Sequence, residues 1–223
     1  ITTNLFKFDY KFDDQEISGL AGNEGQGSYY ETLMAEGKGL PEGFSVPNVA
    51  SSEYRIGGLN DRSNSQSFIS QLNYNYKGSY FLTGSYGIDA TSAFPPDNRV
   101  AHFPSVAGSW LASHEDFMKD SKINLLKFRL SYGITGMQDI GAYQYLGLFS
   151  LNTQYNSAAA ATPLQLPSPD LTWEKTHQLN FGIDFGIFNR VNLTIDLYNN
   201  VTKDLLILVS QPLSVGFENK WEN

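Results

Sequence analysis

Apolar and polar residues alternate in seven segments of this chain, each about ten residues long. The clearest segment runs from Leu126 to Thr135, where Leu, Phe, Leu, Tyr and Ile alternate with Lys, Arg, Ser, Gly and Thr. Because successive side chains of a β-strand point to opposite faces, this segment predicts a strand with one apolar and one charged face. About ten residues also suffice for a tilted strand to cross a bilayer core. The alternation therefore favours an outer-membrane β-barrel.

Each of the seven predicted strands sets apolar side chains against polar ones. The strands are predicted at residues 4–12, 66–76, 80–89, 105–113, 126–135, 173–185 and 191–200. We expect residues 205–209 to extend the pairing beyond the membrane. No stretch approaches the run of about 18 apolar residues that a membrane-spanning helix requires. The chain is therefore predicted to be all-β.

The connections between the predicted strands alternate in length. Long connections are predicted at residues 13–65, 90–104 and 136–172, and short ones at 77–79, 114–125 and 186–190. Outer-membrane barrels place long loops outside the cell and short turns in the periplasm, whereas a soluble β-sandwich has little reason to separate them. The Gly-rich stretch at residues 19–27 lacks the Lys-Ser/Thr pair of a phosphate-binding loop and is interpreted as an extracellular loop.

The number of strands indicates a piece of a large barrel. About eight strands make the smallest packed barrel, and plugged transporters use about 22. We therefore predict an antiparallel transmembrane β-barrel segment of seven or eight strands, with residues 1–223 forming part of one barrel domain. The chain begins at Ile1 without a leader pattern, and we expect it to be a fragment or a trimmed chain.

Composition narrows the possible functions. Charged residues make up 17% of the chain, the formal net charge is −8, and no Lys/Arg cluster that could bind nucleic acid is present. Cysteine is absent, which excludes disulfides, thiolate metal sites and a Cys nucleophile. The three histidines, His102, His114 and His177, lie far apart in sequence and lack metal-ligand spacing. We expect no catalytic residue, no cofactor and no metal.

Six polar side chains on the predicted strands fall opposite the apolar face, and we expect them to face the barrel lumen. They are Lys127, Arg129, Gln178, Asn180, Asp184 and Asp196. The opposite orientation would place basic residues in lipid at a cost of about 2–4 kcal/mol each at mid-depth. The charged members of this set are expected to pair with one another or with a plug, and substrate contact is the alternative.

Aromatic residues in the last long connection are candidates for contact with a ligand or lid. They are Tyr143, Tyr145, Phe149 and Tyr155, and the alternative is that they pack the loop's own core. Trp173 is expected to begin a strand at the membrane boundary, where Trp is enriched, and ligand contact is again the alternative.

Five sequence blocks occur together in one order. They are YFLTGS at 80–85, DNRVAHFPSVAGSW at 97–110, LKFRLSYGITGMQ at 126–138, SPDLTWEKT at 168–176 and TKDLL at 202–206. Over residues 64–206 this set resembles the C-terminal barrel half of SusC/RagA-type TonB-dependent transporters of the Bacteroidota. The chain departs from the family's usual Gly-Asn-Gln with Gly136-Met137-Gln138.

The resemblance implies a plugged 22-stranded barrel in the cell outer membrane that imports glycans or peptides, with membrane lipids around it. It also implies a SusD-like surface lipoprotein as a lid and energy from TonB, delivered through a plug domain that is not present in this chain. Two alternatives stay open. One is a passive porin or an adhesin barrel, and the other is a soluble carbohydrate-binding β-sandwich.

Overall fold

Twelve β-strands dominate the computed structural model, which describes residues 1–223 apart from the side chains of Glu53, Asn152, Thr153 and Leu213. The strands are β1 (Thr2–Phe12), β2 (Gln15–Lys38), β3 (Ser52–Tyr76), β4 (Tyr80–Thr91), β5 (Val100–Leu111), β6 (Ile123–Met137), β7 (Leu148–Tyr155), β8 (Ala158–Leu166), β9 (Glu174–Ile187), β10 (Val191–Lys203), β11 (Ile207–Ser210) and β12 (Asn219–Glu222). The helical content consists of short 3-10 turns at Pro47–Val49, Pro96–Asn98, Ala112–His114, Asp116–Met118 and Leu213–Val215. Within this described chain, no helix is long and apolar enough to cross a bilayer.

Eight strands form one antiparallel sheet in the order β1-β2-β3-β4-β5-β6-β9-β10. This confirms the predicted all-β antiparallel segment of seven or eight strands. The sheet is open, because β1 and β10 each pair with another strand on one side only within the described residues.

The long connection predicted at residues 13–65 is wrong, because β2 and the first half of β3 lie there. The apolar alternation is hidden in β2 by glycine. A Cβ on Gly19 would lie 2.5 Å from Cε1 of Phe8, and the next position on the same face, Ala21, is directly opposite Phe6. β1 therefore packs its side chains over a strand that has almost none at these positions. The prediction of an extracellular loop at the Gly-rich residues 19–27 is therefore wrong, because these residues lie in β2.

The missing strand also reverses the direction assigned to β1. Phe12 ends at the same edge of the sheet as the short turns, which comprise residues 13–14, 77–79, 112–122 and 188–190. The two longest connections, residues 39–51 and 138–173, lie at the other end together with residues 92–99. The predicted separation thus holds for the two longest connections and fails for one pair, because the connection at residues 112–122 is longer than that at residues 92–99. We call the two ends the short-turn end and the long-loop end.

Two structures stand at the long-loop end. Residues 26–38 and 52–64 of β2 and β3 continue past the last residues that pair with β1 and β4, as a two-stranded ribbon. A second, four-stranded sheet in the order β11-β12-β8-β7 is built from the connections. β11 pairs with β12 there, so the stretch 205–209 joins this smaller sheet and does not extend the main one.

Among the described side chains, a cluster of buried apolar residues lies at the long-loop end. A buried cluster of Phe94, Ala101, Leu171 and Trp173 is 0–3% exposed, and we call it the loop core. The Trp173 ring centroid lies 5.2 Å from that of Phe94, and its indole N–H donates to the carbonyl of Arg99 at 3.1 Å. Trp173 directly precedes β9, as predicted, and its side chain is enclosed by the loops; that the strand begins at the membrane boundary stays a prediction.

The main sheet has one apolar face, which its own chain leaves uncovered. Its central rows carry side chains that are 45–56% exposed, including Leu72, Leu82, Leu130, Leu179 and Ile195. An aromatic row borders the short-turn end, with successive ring centroids 5.8–6.3 Å apart through Tyr76, Tyr80, Trp110 and Phe128. Such rows are typical of membrane-water interfaces.

Candidate functional site

The six side chains that were predicted to face the lumen share one face of the sheet. Asp184 is directly opposite Lys127 on one side and Thr194 on the other. Gly182 is likewise opposite both Arg129 and Asp196. Gln178 and Asn180 continue the same face toward the long-loop end, with Gly133 and Ser131 as their partners in β6. We call this the polar face; that it lines a lumen stays a prediction, since the sheet is open.

Arg129 joins three strands of the polar face by hydrogen bonds to two carboxylates. Its guanidinium donates to both oxygens of Asp184 on β9, at 2.9 and 3.1 Å, and to Oδ1 of Asp196 on β10 at 2.9 Å. Thr194 adds a hydroxyl donor to Asp184 at 3.1 Å. The Arg129 and Asp184 side chains are 38% and 21% exposed, so solvent screens the pair in part. The arrangement holds the three side chains in fixed positions and leaves one carboxylate oxygen of Asp196 unused by this network.

Gly182 makes the reach across β9 possible. A Cβ at this position would lie 2.7 Å from both Cζ and a terminal nitrogen of Arg129, and 2.7 Å from Oδ1 of Asp196. Real Cβ atoms do not come this close to other heavy atoms, so a side chain here would push the guanidinium aside. The glycine is therefore part of the Arg129 site.

Replacing Gly182 with Val should break the contact between Arg129 and Asp196, because the new side chain displaces the guanidinium from its position over β9. The coupling between Arg129→Gln and Asp196→Asn, measured as a double-mutant cycle in thermal unfolding, should fall from about 0.5–1 kcal/mol to near zero. Gly84→Val is the matched control, since a Cβ on Gly84 meets no atom within 4 Å. A coupling that survives in Gly182→Val would show that the glycine is not needed.

The three other side chains that were predicted to face the lumen contact side chains of neighbouring strands. The Lys127 ammonium lies 5.5 Å from the centroid of the Phe81 ring, and no ion pair with Asp184 forms among the described side chains. Gln178 donates to the hydroxyl of Thr135 and Asn180 to that of Ser131, each at 3.4 Å. All six residues thus belong to the polar face, and only some of their hydrogen-bond donors and acceptors have a partner in the sheet.

The four aromatic loop residues fall into two groups. Tyr145 packs against the loop core, and its hydroxyl accepts a hydrogen bond from Arg99 at 3.4 Å, which matches the packing alternative. Tyr143 and Tyr155 are 43% and 80% exposed. Phe149 is also exposed, and its ring lies edge-on to the ring of Phe217 with 6.3 Å between the two centroids. Ligand or lid contact stays a prediction for these three exposed residues.

Sequence reasoning missed the ribbon, which carries its own exposed aromatic and aliphatic side chains. Leu33 and Ile56 are each 83% exposed, and Tyr54 is 61% exposed. The Tyr29 hydroxyl donates to the Glu31 carboxylate at 2.8 Å, and this hydrogen bond raises the pKa of the Tyr29 phenol. The only sequence signal was the Tyr29-Tyr30 pair inside a polar stretch. Among the described side chains, no His/Asp/Glu group of three or more could hold a metal ion.

The chain is similar to known proteins over nearly its whole length. A family model described as "TonB dependent receptor-like, beta-barrel" matches residues 2–223. The chain is 34% identical to TonB-dependent receptor P39 of Formosa agariphila, over 97% of this chain and 21% of that protein. It is 30% identical to TonB-dependent receptor SusC of Bacteroides thetaiotaomicron, over 97% of this chain and 23% of that protein.

Solved structures agree with these sequence matches. The RagAB peptide importer in its closed-closed state superposes with a TM-score of 0.90 and 27% identity, over 99% of this chain and 25% of that chain. The open-open state of the same importer gives a TM-score of 0.85. The chain therefore spans about a quarter or less of the length of these relatives, and the resemblance inferred from the five sequence blocks is confirmed.

Proposed function

We propose, since this chain belongs to the TonB-dependent receptor-like β-barrel family, that it supplies about a third of the wall of a plugged, roughly 22-stranded barrel in the outer membrane. The eight strands would cross the bilayer with the short turns in the periplasm and the long-loop end outside the cell. The polar face would line the lumen, and the apolar face would contact lipid.

The uncovered apolar face is the observation that carries this proposal. Exposed apolar area costs about 25 cal/mol per Å² in water, and monomeric soluble proteins rarely leave a continuous patch larger than a few hundred Å². Along β6 and β9 the apolar side chains run without interruption from Phe128, beside Trp110, to Leu179. No second layer of the described chain covers them, as a β-sandwich would require.

The proposed activity is TonB-dependent import of a nutrient, either a glycan or a peptide. The SusC relative and the RagAB peptide importer support this class of function. No residue of the chain is assigned a covalent step. The wall contributes binding and passage, and a plug outside this chain would receive the pull of TonB from the periplasm.

The proposed partner is a SusD-like lipoprotein that covers the long-loop end. The exposed ribbon and the loop core are the features that such a lid would meet. Tyr143, Phe149 and Tyr155 are proposed to contact the lid or the nutrient, because they are exposed at this end.

Uptake by cells expressing the whole receptor tests the proposal. Labelled oligosaccharides and labelled peptides should accumulate only with functional TonB, and at least one of the two classes should lose nearly all uptake without it. Affinity purification in detergent should recover a surface lipoprotein. A passive porin predicts equal uptake with and without TonB, and that result would refute energy-coupled import.

A further inference from the structure

Two lysines face each other at the long-loop end of the apolar face. Lys175 on β9 is directly opposite Lys203 on β10. The neighbouring residues Thr176 and Thr202 join their hydroxyls at 3.0 Å on the polar face, so both lysines project from the apolar face. Directly opposed residues have Cβ atoms about 4.5–5.5 Å apart, and like charges at this distance destabilise a sheet. An anion held between the two ammonium groups would relieve this repulsion.

No carboxylate of the described side chains supplies this anion. None of the ion pairs between them includes Lys175 or Lys203. Glu174 lies on the opposite face, where its Oε2 accepts the backbone N–H of Leu206 at 3.2 Å. Asp204, which follows Lys203, has left the strand with φ at 56°. An anion that neutralises the two lysines would therefore have to come from outside this part of the chain.

The depth of the two lysines identifies the kind of anion. The adjacent row toward the short-turn end contains Ile134, His177 and Val201, all on the apolar face. His177 Nδ1 is 2.8 Å from the hydroxyl of Tyr132, a residue type enriched at membrane interfaces. The lysines thus stand one row beyond the apolar band, where a long basic side chain reaches the level of lipid headgroups.

We propose that Lys175 and Lys203 together bind the phosphate of an anionic lipid in the leaflet at the long-loop end. The phosphate oxygens would lie between the two ammonium groups and cancel their repulsion, while the acyl chains would follow the apolar row below. The inference rests on the proposed function, because it requires the apolar face to lie in a membrane.

A second Tyr-His pair on the same face provides an internal reference. Tyr86 Oη is 2.9 Å from His102 Nδ1, much as in the pair near the lysines. The next row of the register toward the long-loop end contains Ala90 and Val100 and no basic residue. This second pair therefore offers the same aromatic contact without the charge, and it should not distinguish phosphate-bearing lipids from neutral ones.

Lipid binding to the whole receptor in nanodiscs tests the assignment. Native mass spectrometry should find phosphatidylglycerol retained in preference to an uncharged diacylglycerol lipid of the same chain length. The preference should fall about fivefold for Lys175→Gln or Lys203→Gln alone and roughly 25-fold for the double variant. The control variant Lys7→Gln/Lys11→Gln removes two lysines from the polar face of β1 and should keep the native preference.

The possible outcomes separate this inference from the proposed function. Equal retention of phosphatidylglycerol by the native receptor and the double variant overturns the lipid site alone, provided that the receptor still enters nanodiscs. Inorganic phosphate binding to the detergent-solubilised receptor as tightly as the lipid would also overturn it, since the site would then be one for free anions. A receptor that remains soluble without detergent would overturn the proposed function and this inference together.

Discussion

Leu130→Arg in the whole receptor is expected to block assembly into the outer membrane. Leu130 lies in the middle of the apolar face, between Gly108 and Phe181 in the register, and is 56% exposed. A basic residue at mid-depth in lipid costs about 2–4 kcal/mol. The folded fraction, measured by heat-dependent mobility on gels of outer-membrane fractions, should fall to a small part of the native level.

Ser131→Arg is the matched control for this substitution. Ser131 is the next residue on the same strand and lies on the polar face, between Ala107 and Asn180. The same charge there contacts water and should permit near-native assembly. Arg129→Gln should also insert normally, although it removes the contacts with Asp184 and Asp196. An equal folded fraction of Leu130→Arg and Ser131→Arg would contradict the assignment of one face to lipid and the other to water.

Trp173→Ala should loosen the whole long-loop end without preventing barrel assembly. The substitution removes a 3% exposed indole that contacts Phe94 and Phe103 and donates a hydrogen bond to Arg99. Large-to-small changes of this kind cost about 3–5 kcal/mol. Amide hydrogen exchange in residues 138–173 should therefore accelerate by roughly a hundredfold or more, while β6 and β9 stay protected.

Tyr155→Ala separates this effect from the general loss of an aromatic loop residue. Tyr155 is 80% exposed and lies in the same connection. Its removal should leave hydrogen exchange within about twofold of native, because it contributes little buried area. Unchanged exchange in Trp173→Ala would indicate that the connections are held in place by something other than the loop core.

Strands with a complete side-chain pattern were predictable from the sequence. Every second position is large and apolar over residues 126–134 of β6, 179–187 of β9 and 191–197 of β10, so the face of each side chain follows from the alternation alone. β2 was missed because Gly19 and Ala21 occupy apolar-face positions where Phe8 and Phe6 of the neighbouring strand supply the bulk. A single sequence cannot display an apolar surface that is contributed by the next strand.

The site was predictable in its faces but not in its contacts. The alternation assigned Arg129, Asp184 and Asp196 to one face, and the structure joins them. The role of Gly182 could not be foreseen, because it depends on which residue of β10 is brought level with Arg129 across β9. The burial of Trp173 could not be foreseen for a similar reason, since its neighbours Phe94 and Phe103 lie about 80 and 70 residues away and only the folded chain brings them together.

The unpaired flanks of β1 and β10 determine how this wall can be built. Each flank presents a ladder of main-chain donors and acceptors, and every group left without a partner in hydrocarbon costs several kcal/mol. This sheet can therefore enter the membrane only after other strands of the barrel have paired with both β1 and β10. Copies of the segment whose β1 and β10 find no such partners would pair with one another edge to edge, and failed assembly would yield an open polymer.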